Sequence, residues 1–339
     1  MKLRKTGAFT AISVVLAGAV ILALTNGQYH IDVATLWKLL LLKISGAEAS
    51  GDLATPATVL WSVRLPRVFM ALIVGAALAV GGVVFQGMTR NPLISPSFLG
   101  ITHGAVFGAS VAIIFFSKSA IAVEASAFVW ALVAVAIVFA IGNRGINSIT
   151  TLVIAGVIVS SFFMAAGSFL KYIADPYEDL PAITFWTMGG LNNVLAPNVA
   201  RAFGIISVGM LVIYIFRWRL NLLAVGDEDA TSMGLNVKAT RAIFVFFGAM
   251  IVAAGSSSCG IIMWVDLITA HVSRMFIGPD HKSLIPFSAL MGAAFLLLTD
   301  TAVRLLPGSE MPISIVTSFI GAPLLGYLLM KQNNAGWKN

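Results

Sequence analysis

The stretch that decides the fold runs Arg64-Leu65-Pro66-Arg67, then an uncharged apolar run over 68–86, then Gln86-Gly87-Met88-Thr89-Arg90-Asn91-Pro92-Leu93-Ile94-Ser95-Pro96. At about 1.5 Å rise per residue, a hydrocarbon core of about 30 Å takes about 20 residues, so the middle segment predicts a membrane helix. Pro92 interrupts any helix that reaches it and frees backbone groups that need protein or water partners. Ala71, Gly75 and Ala79 recur at intervals of four. Small residues on one face let helix backbones approach closely, which predicts a tightly packed helix inside a bundle. The alternative is the ordinary glycine and alanine richness of membrane helices.

Outward from this segment the whole chain reads the same way. Of its 339 residues, 59% are hydrophobic and only 10% charged, and the mean hydropathy is +0.96. A water-soluble fold of this size cannot bury that much apolar surface, so lipid is the solvent. The formal charge of +7 then describes loops at a membrane surface rather than a nucleic-acid interface. Cys259 is the single cysteine, which excludes an intramolecular disulfide and a multi-cysteine metal site. Lys2, Arg4 and Lys5 precede the first apolar run. That run is long enough to span, and no small-x-small cleavage site follows, so it reads as a retained helix rather than a signal peptide.

Ten spans are expected, near 8–25, 68–86, 99–116, 120–141, 149–170, 199–216, 242–255, 259–270, 284–303 and 313–330. The seventh and eighth are short for a full crossing. With both termini cytoplasmic, thirteen of the twenty-one basic residues fall inside: Lys2, Arg4, Lys5, Arg90, Arg144, Arg217, Arg219, Lys238, Arg241, Arg274, Lys282, Lys331 and Lys338. Asp32, Glu48, Asp52, Glu124, Asp175, Glu178, Asp179 and Glu310 fall outside, in agreement with the positive-inside rule. No internal repeat of the secondary-transporter kind is visible, and residues 1–339 read as a single membrane domain without a linker.

Four segments carry candidate chemistry. Arg64 and Arg67 share a helix face at the outer mouth of the second span, where guanidinium groups can pair bidentately with carboxylates of a partner or anchor the helix by snorkelling. The long loop at about 220–241 contains Gly226-Asp227-Glu228-Asp229-Ala230-Thr231-Ser232-Met233-Gly234-Leu235. Its acids can cap and charge a helix start and Gly234 is placed to end that helix, giving a compact helical pair or a solvated connector. Thr150 and Thr151 open the fifth span, where an N-cap is the plain reading. In Trp264-Val265-Asp266-Leu267 an unpaired Asp266 at bilayer depth would cost about 2.5–3.5 kcal/mol, so it should face protein, water or a cation. His271, Arg274 and His281 lack the spacing of a metal site, and hydrogen bonding is the expectation for His271.

In order and spacing these segments resemble the FecCD-type permeases, the membrane subunits of ABC importers for iron chelates, haem and cobalamin. The resemblance runs from Arg64 to Leu329. It includes Gly260-Ile261-Ile262-Met263-Trp264-Val265-Asp266, Gly278-Pro279-Asp280-His281 and the closing Glu310-Met311-Pro312 to Pro323. It implies an all-helical polytopic permease of the type II importer kind, a homodimer with the substrate path on its two-fold axis. It implies docking of a periplasmic or lipid-anchored binding protein at Arg64, Arg67 and Arg304. It further implies coupling to two ATP-binding subunits through Gly226, Asp227, Glu228, Ala230, Met233 and Gly234, and a cytoplasmic gate at Asn91, Leu93, Thr150 and Thr151. Met233 stands where Leu is usual, Asp266 and Ser314 where Gly is usual, and Ala270 where Pro is usual, which leaves the bend of the eighth span open. No Gly-x-x-x-x-Gly-Lys-Ser/Thr phosphate loop is present. ATP and Mg therefore belong to a partner subunit, and the chain itself is not an enzyme and holds no cofactor or metal. The expected cargo is a ferric siderophore, haem or cobalamin, carried across a bacterial or archaeal cell (inner) membrane. Molybdate or tungstate is the alternative cargo, and an ion-coupled secondary transporter using Asp266 or Asp300 is the alternative of another class.

Overall fold

Lipid offers no hydrogen bonds, so a segment that crosses it must satisfy its own backbone, and every regular element among the described residues is helical. The structure, a computed structural model, describes residues 2–116, 118–142, 149–306 and 311–332. Arg144, Glu310 and Lys338, which enter the charge asymmetry above, lie outside the described residues. In chain order the helices are α1 (Lys2–Thr25), α2 (Val33–Ile44), α3 (Ala54–Thr58), α4 (Leu65–Thr89), α5 (Ile101–Phe115), α6 (Ala120–Gly142) and α7 (Ile149–Ile173). They continue with α8 (Asp179–Met188), α9 (Ala196–Val225), α10 (Asp227–Ser232), α11 (Val237–Cys259), α12 (Val265–Ile277), α13 (His281–Leu305) and α14 (Ile313–Gln332).

Among the described residues seven helical stretches are long and apolar enough to cross a membrane, and Ile101–Phe115 and Ile313–Tyr327 are shorter apolar helices. With α12 these account for the ten expected spans, two of them with corrected bounds. The seventh is not short. Asn236 caps it by accepting from the Ala239 N–H at 2.9 Å, and it runs 23 residues to Cys259, about 34 Å. The eighth begins later than expected, at Val265, because residues 260–264 are not helical and both Gly260 (φ 70°) and Trp264 (φ 71°) are left-handed. Among the described residues four further helices, α2, α3, α8 and α10, lie outside the expected spans, α10 in the loop where a short helix is expected.

α4 sits at the centre of the bundle. All of its residues from Ala77 to Thr89 are buried, as expected of a helix that is apolar all round. Before it the chain is helical from Gly51 onward. The Leu65 N–H bonds five residues back to Leu60, a wider turn that gives the Pro66 ring room. α4 crosses α13 with Gly75 and Gly292 face to face, each backbone carbonyl occupying the space a Cβ on the other would need. The small-residue face of Ala71, Gly75 and Ala79 is thus a packing face. α5 meets α6 in the same manner, through Gly104 and Gly108 against the Trp130 and Ser126 carbonyls.

Candidate functional site

α4, α9 and α13 each reach from one end of the bundle to the other, and the candidate residues divide between those ends. At the end opposite α10, Arg64, Arg67 and Arg304 converge, as their shared expected role requires, but they point inward. They are 4%, 4% and 6% exposed. Arg67 bonds to Asp300 through Nε at 2.9 Å and pairs with it again at 2.8 Å, while Arg304 Nε lies 3.1 Å from the other Asp300 oxygen. Arg304 also donates to the Ala23 carbonyl at 3.1 Å, and Arg64 donates to the carbonyls of Leu24 and Tyr29. The last carbonyls of a helix have no intrahelical partner, so these guanidinium groups close the end of α1. Gly27 (φ 149°) crosses directly over Arg64, and a Cβ there would sit 3.1 Å from the guanidinium. The cluster is therefore covered by residues 26–29 and does not form an open docking face in this conformation.

Between the ends, the non-helical backbone at 260–264 is tied to two other breaks. Gly190 N–H donates to Cys259 O at 2.8 Å and Ile313 N–H to Gly189 O at 3.2 Å, and the Ser314 hydroxyl donates to Ile261 O. Irregular backbone at membrane depth survives only where protein or a water-lined cavity satisfies it. Here the protein satisfies it through these bonds, and Gly189, Gly190 and Gly260 border a cavity of about 500 Å³ shared with Trp186, Asn193 and Ser257. Glu124 forms part of its wall, accepting from Ser258 at 2.6 Å, Asn198 at 3.2 Å and Arg201 at 3.1 Å. At the mouth, the Glu178 and Asp179 carboxylates hold the Lys118 ammonium above its usual range. Asp266, whose placement the sequence left open, faces protein: it accepts from the Ser95 hydroxyl and the Leu267 N–H at 2.9 Å. That bond fastens the turn after Pro92 to the first turn of α12.

At the α10 end, Gly226 (φ 131°) turns the chain from α9 into α10. Asp227 does not cap the helix; Gly226 holds that position, and Asp227 pairs instead with Arg241 at 2.6 and 2.9 Å. Glu228 follows it in the acidic first turn, Ala230 is buried and Met233 is 59% exposed. Gly234 (φ 83°) ends the helix: Leu235 N–H bonds to Ala230 O at 3.0 Å and Gly234 N–H to Thr231 O at 2.9 Å, a Schellman closure. The expected helical pair is one six-residue helix leading straight into α11.

At the same end, Arg90 (φ 54°) stops α4 and the Asn91 side chain accepts from the Leu93 N–H at 2.9 Å, an Asx turn. Thr150 and Thr151 lie in the first turn of α7. α7 packs against the 96–100 segment, its Gly156 on the Phe98 carbonyl. The structure thus places both pairs of expected gate residues at one end. Beside them Asn221 of α9 donates to Asp280 at 2.7 Å and accepts from the His281 N–H at 2.9 Å. Burial acts to raise the Asp280 carboxyl, but the Asn221 amide, the Lys282 N–H and the Lys5 and Lys282 charges bring it below its usual value. Among the described residues no group of three or more His, Cys, Asp or Glu could hold a metal ion.

Sequence reasoning missed three partners. Asp300 stands four residues before Arg304, the ion-pair spacing of a helix, and that signal was available. Glu124 with Arg201, and Asn221 with Asp280, are joined across long separations that no local spacing marks.

This architecture has close counterparts. The molybdate import system permease protein MolB of Haemophilus influenzae is 36% identical over 326 residues, covering 96% of each chain. The hemin transport system permease protein HmuU of Yersinia pestis is 33% identical over 324 residues, 90% of this chain and 97% of that one. A solved structure described as an inward-facing conformation of a proposed metal-chelate type ABC transporter matches with a TM-score of 0.86 at 35% identity, over 95% of this chain and 98% of that one. The sequence pattern of the FecCD transport family runs through residues 15–331, and the chain, an all-helical membrane permease, belongs to that family.

Proposed function

We propose that two copies of this chain form the membrane core of an ATP-driven importer that passes a metal chelate from a binding protein into the cytoplasm. The α9–α10 extension carries this reading. α9 has 30 residues, about 45 Å, against a hydrocarbon core of about 30 Å. It delivers α10 beyond the apolar zone, with Asp227, Glu228 and Asp229 in its first turn and Met233 exposed. Fastened by Arg241 on one side and the Gly234 closure on the other, α10 is a firm projection of the kind a moving ATPase subunit can push. Two such subunits would bind ATP and Mg, and this chain would convert their movement into alternating access.

Lys5, Arg90, Arg217, Arg219, Lys238, Arg241 and Lys282 gather at the α10 end, which supports a cytoplasmic position for it under the positive-inside rule. Asn91, Leu93, Thr150 and Thr151 would then constrict the cytoplasmic mouth of a path between the two copies. Docking of the binding protein at Arg64, Arg67 and Arg304 requires residues 26–29 to lift, so that surface is formed on encounter. An ion-coupled carrier needs a carboxylate free to take up its ion, whereas Asp300 is held by two guanidinium groups. The named relatives include a hemin and a molybdate permease of similar identity, so a molybdate-type oxyanion is the second reading of the cargo.

The test is uptake in vesicles carrying this chain, its ATPase and its binding protein, with ferric chelates, haem, cobalamin and molybdate compared at fixed protein loading. Uptake of one ligand that needs both partners and ATP is the expected outcome. Uptake by this chain alone, driven by an ion gradient, would overturn the proposal.

A further inference from the structure

Asn221 lies on α9 five residues before Gly226, about 7.5 Å up the same helix from the start of the coupling segment. Its side chain reaches across to the first turn of α13 and makes three contacts there. Its amide N–H donates to Asp280 Oδ1 at 2.7 Å. Its carbonyl oxygen receives the His281 backbone N–H at 2.9 Å and lies 2.7 Å from His281 Nδ1. An amide oxygen only accepts, so Nδ1 must carry the proton in that contact, and the imidazole is locked in orientation. The other face of the ring is set against α4: His281 Nε2 fills the space that a side chain at Gly87 would occupy. Gly87 stands three residues before Arg90, where α4 turns into Asn91-Pro92-Leu93.

These contacts form one continuous path from α10, through the end of α9, Asn221 and His281, to the end of α4 that bears the gate turn. We propose that Asn221 is the positioning residue that carries displacement of the 226–236 segment to His281, and through its ring to the gate turn at the end of α4. The inference rests on the functional reading above. Physical coupling needs an element whose arrangement both ends bias, and Asn221 meets this because its amide nitrogen and its amide oxygen are both bonded to the start of α13, so α9 cannot shift without moving the imidazole or breaking these bonds. Asp280 reinforces the arrangement by also accepting from Lys282 N–H at 3.1 Å and by pairing with Lys5 of α1 at 4.0 Å, which fixes the start of α13 from its other side.

The test compares the wild type with Asn221→Ala, Asn221→Asp, and the exchange Asn221→Asp with Asp280→Asn, each in vesicles with its ATPase and binding protein. Asn221→Ala should lower ligand imported per ATP hydrolysed by about tenfold, within the range of coupling between sites, and leave the half-saturating ligand concentration unchanged. Asn221→Asp places a second carboxylate against Asp280 and should fail similarly. The exchange sets one amide against one carboxylate and keeps an acceptor for both His281 donors. Because Asp280 Oδ1 takes both the Asn221 amide and the Lys282 N–H, asparagine at 280 turns its oxygen to the Lys282 N–H as the cap and its amide to residue 221, and the exchange gives up the long Lys5 pair. It should bring the ratio back to within about twofold of the wild type.

An unchanged ratio in Asn221→Ala, or an exchange that melts like the wild type yet stays uncoupled, would overturn the proposal. If Asn221→Ala does not fold, the Asn221→Asp single variant and the exchange decide it by the same criterion. A second readout needs no ATPase: amide hydrogen exchange at residues 87–93 of the chain alone should quicken in Asn221→Asp and return to the wild-type rate in the exchange. Should the wild type show no ATP-driven uptake, the importer reading fails, and this second readout still tests the link. Unaltered exchange at 87–93 in Asn221→Asp would exclude it.

Discussion

Asp300 shows how one buried residue sets the character of a charged cluster. It is fully buried and holds two guanidinium groups that belong to different helices, Arg67 of α4 and Arg304 of α13. Removing one partner of a buried ion pair leaves an uncompensated charge and costs about 3–5 kcal/mol. Asp300→Ala, which strands two cations, should therefore destabilise the permease more than Arg67→Ala, which leaves Asp300 its Arg304 contact. Thermal unfolding of the detergent-solubilised variants checks the order, and equal midpoints would show that the arginines are satisfied without the carboxylate. Arg64 and Arg67 were legible in the sequence as a pair on one helix face at the start of a span, and Arg304 joined them only through the family resemblance. Their inward orientation was not legible, because it depends on the carbonyls of α1, some forty residues from Arg64, and on a loop whose path only the fold determines. Asp266 shows the same division: the cost of burying a carboxylate demanded a partner, and only the fold could supply Ser95.

At the scale of elements, lipid changes what packing rests on. Helices in a bilayer gain no hydrophobic drive from meeting one another, so contact relies on close van der Waals approach at small residues. Gly75 and Gly292 make that approach for α4 and α13, whose ends are also fastened by Asp300 to Arg67 and by His281 to Gly87. A methyl group at 292 would meet the Gly75 carbonyl and the Ala79 side chain, forcing the pair apart. Gly292→Ala should cost about 1–3 kcal/mol, the range for overpacking. Gly204→Ala on α9, where nothing lies within 4 Å, should be neutral or slightly stabilising, since alanine is the better helix former. Unfolding midpoints of the two variants measured side by side test the contrast, and a harmless Gly292→Ala would mean that the crossing is looser than described. The four-residue spacing of Ala71, Gly75 and Ala79 made this face readable. The bounds of α11 and α12 were harder, because Gly260 and Trp264 break the chain through backbone conformation inside an apolar run, where hydropathy gives no mark. α2 and α8 escaped because each is too short to register as a span.

The whole molecule has two unlike ends, and this asymmetry gives the function its direction. Among the described residues, one end bears α10, the Asn91-Pro92-Leu93 turn and most of the lysine and arginine; the other bears the covered arginine cluster and the acidic turn around Asp175, Glu178 and Asp179. Positive charge is retained on the cytoplasmic side of a membrane, so the α10 end should face the ATPase compartment and the arginine end the source of cargo. The chain is suited to a direct test, because its one thiol, Cys259, is buried and should leave the native protein unlabelled by a membrane-impermeant maleimide. Met233 is 59% exposed in the turn after α10 and Tyr177 is 88% exposed at the opposite end. Met233→Cys should label in inside-out vesicles and not in intact cells, and Tyr177→Cys should show the reverse. Both positions lie on soluble turns away from the helix crossings, so substitution there should leave the fold intact. If the labelling pattern were inverted, α10 would face away from any cytoplasmic ATPase, and coupling through that segment would fail on topology alone. The expected pattern would instead give the path from α10 through Asn221 to the gate turn its physical sense, with force entering on the side where the path opens to release cargo.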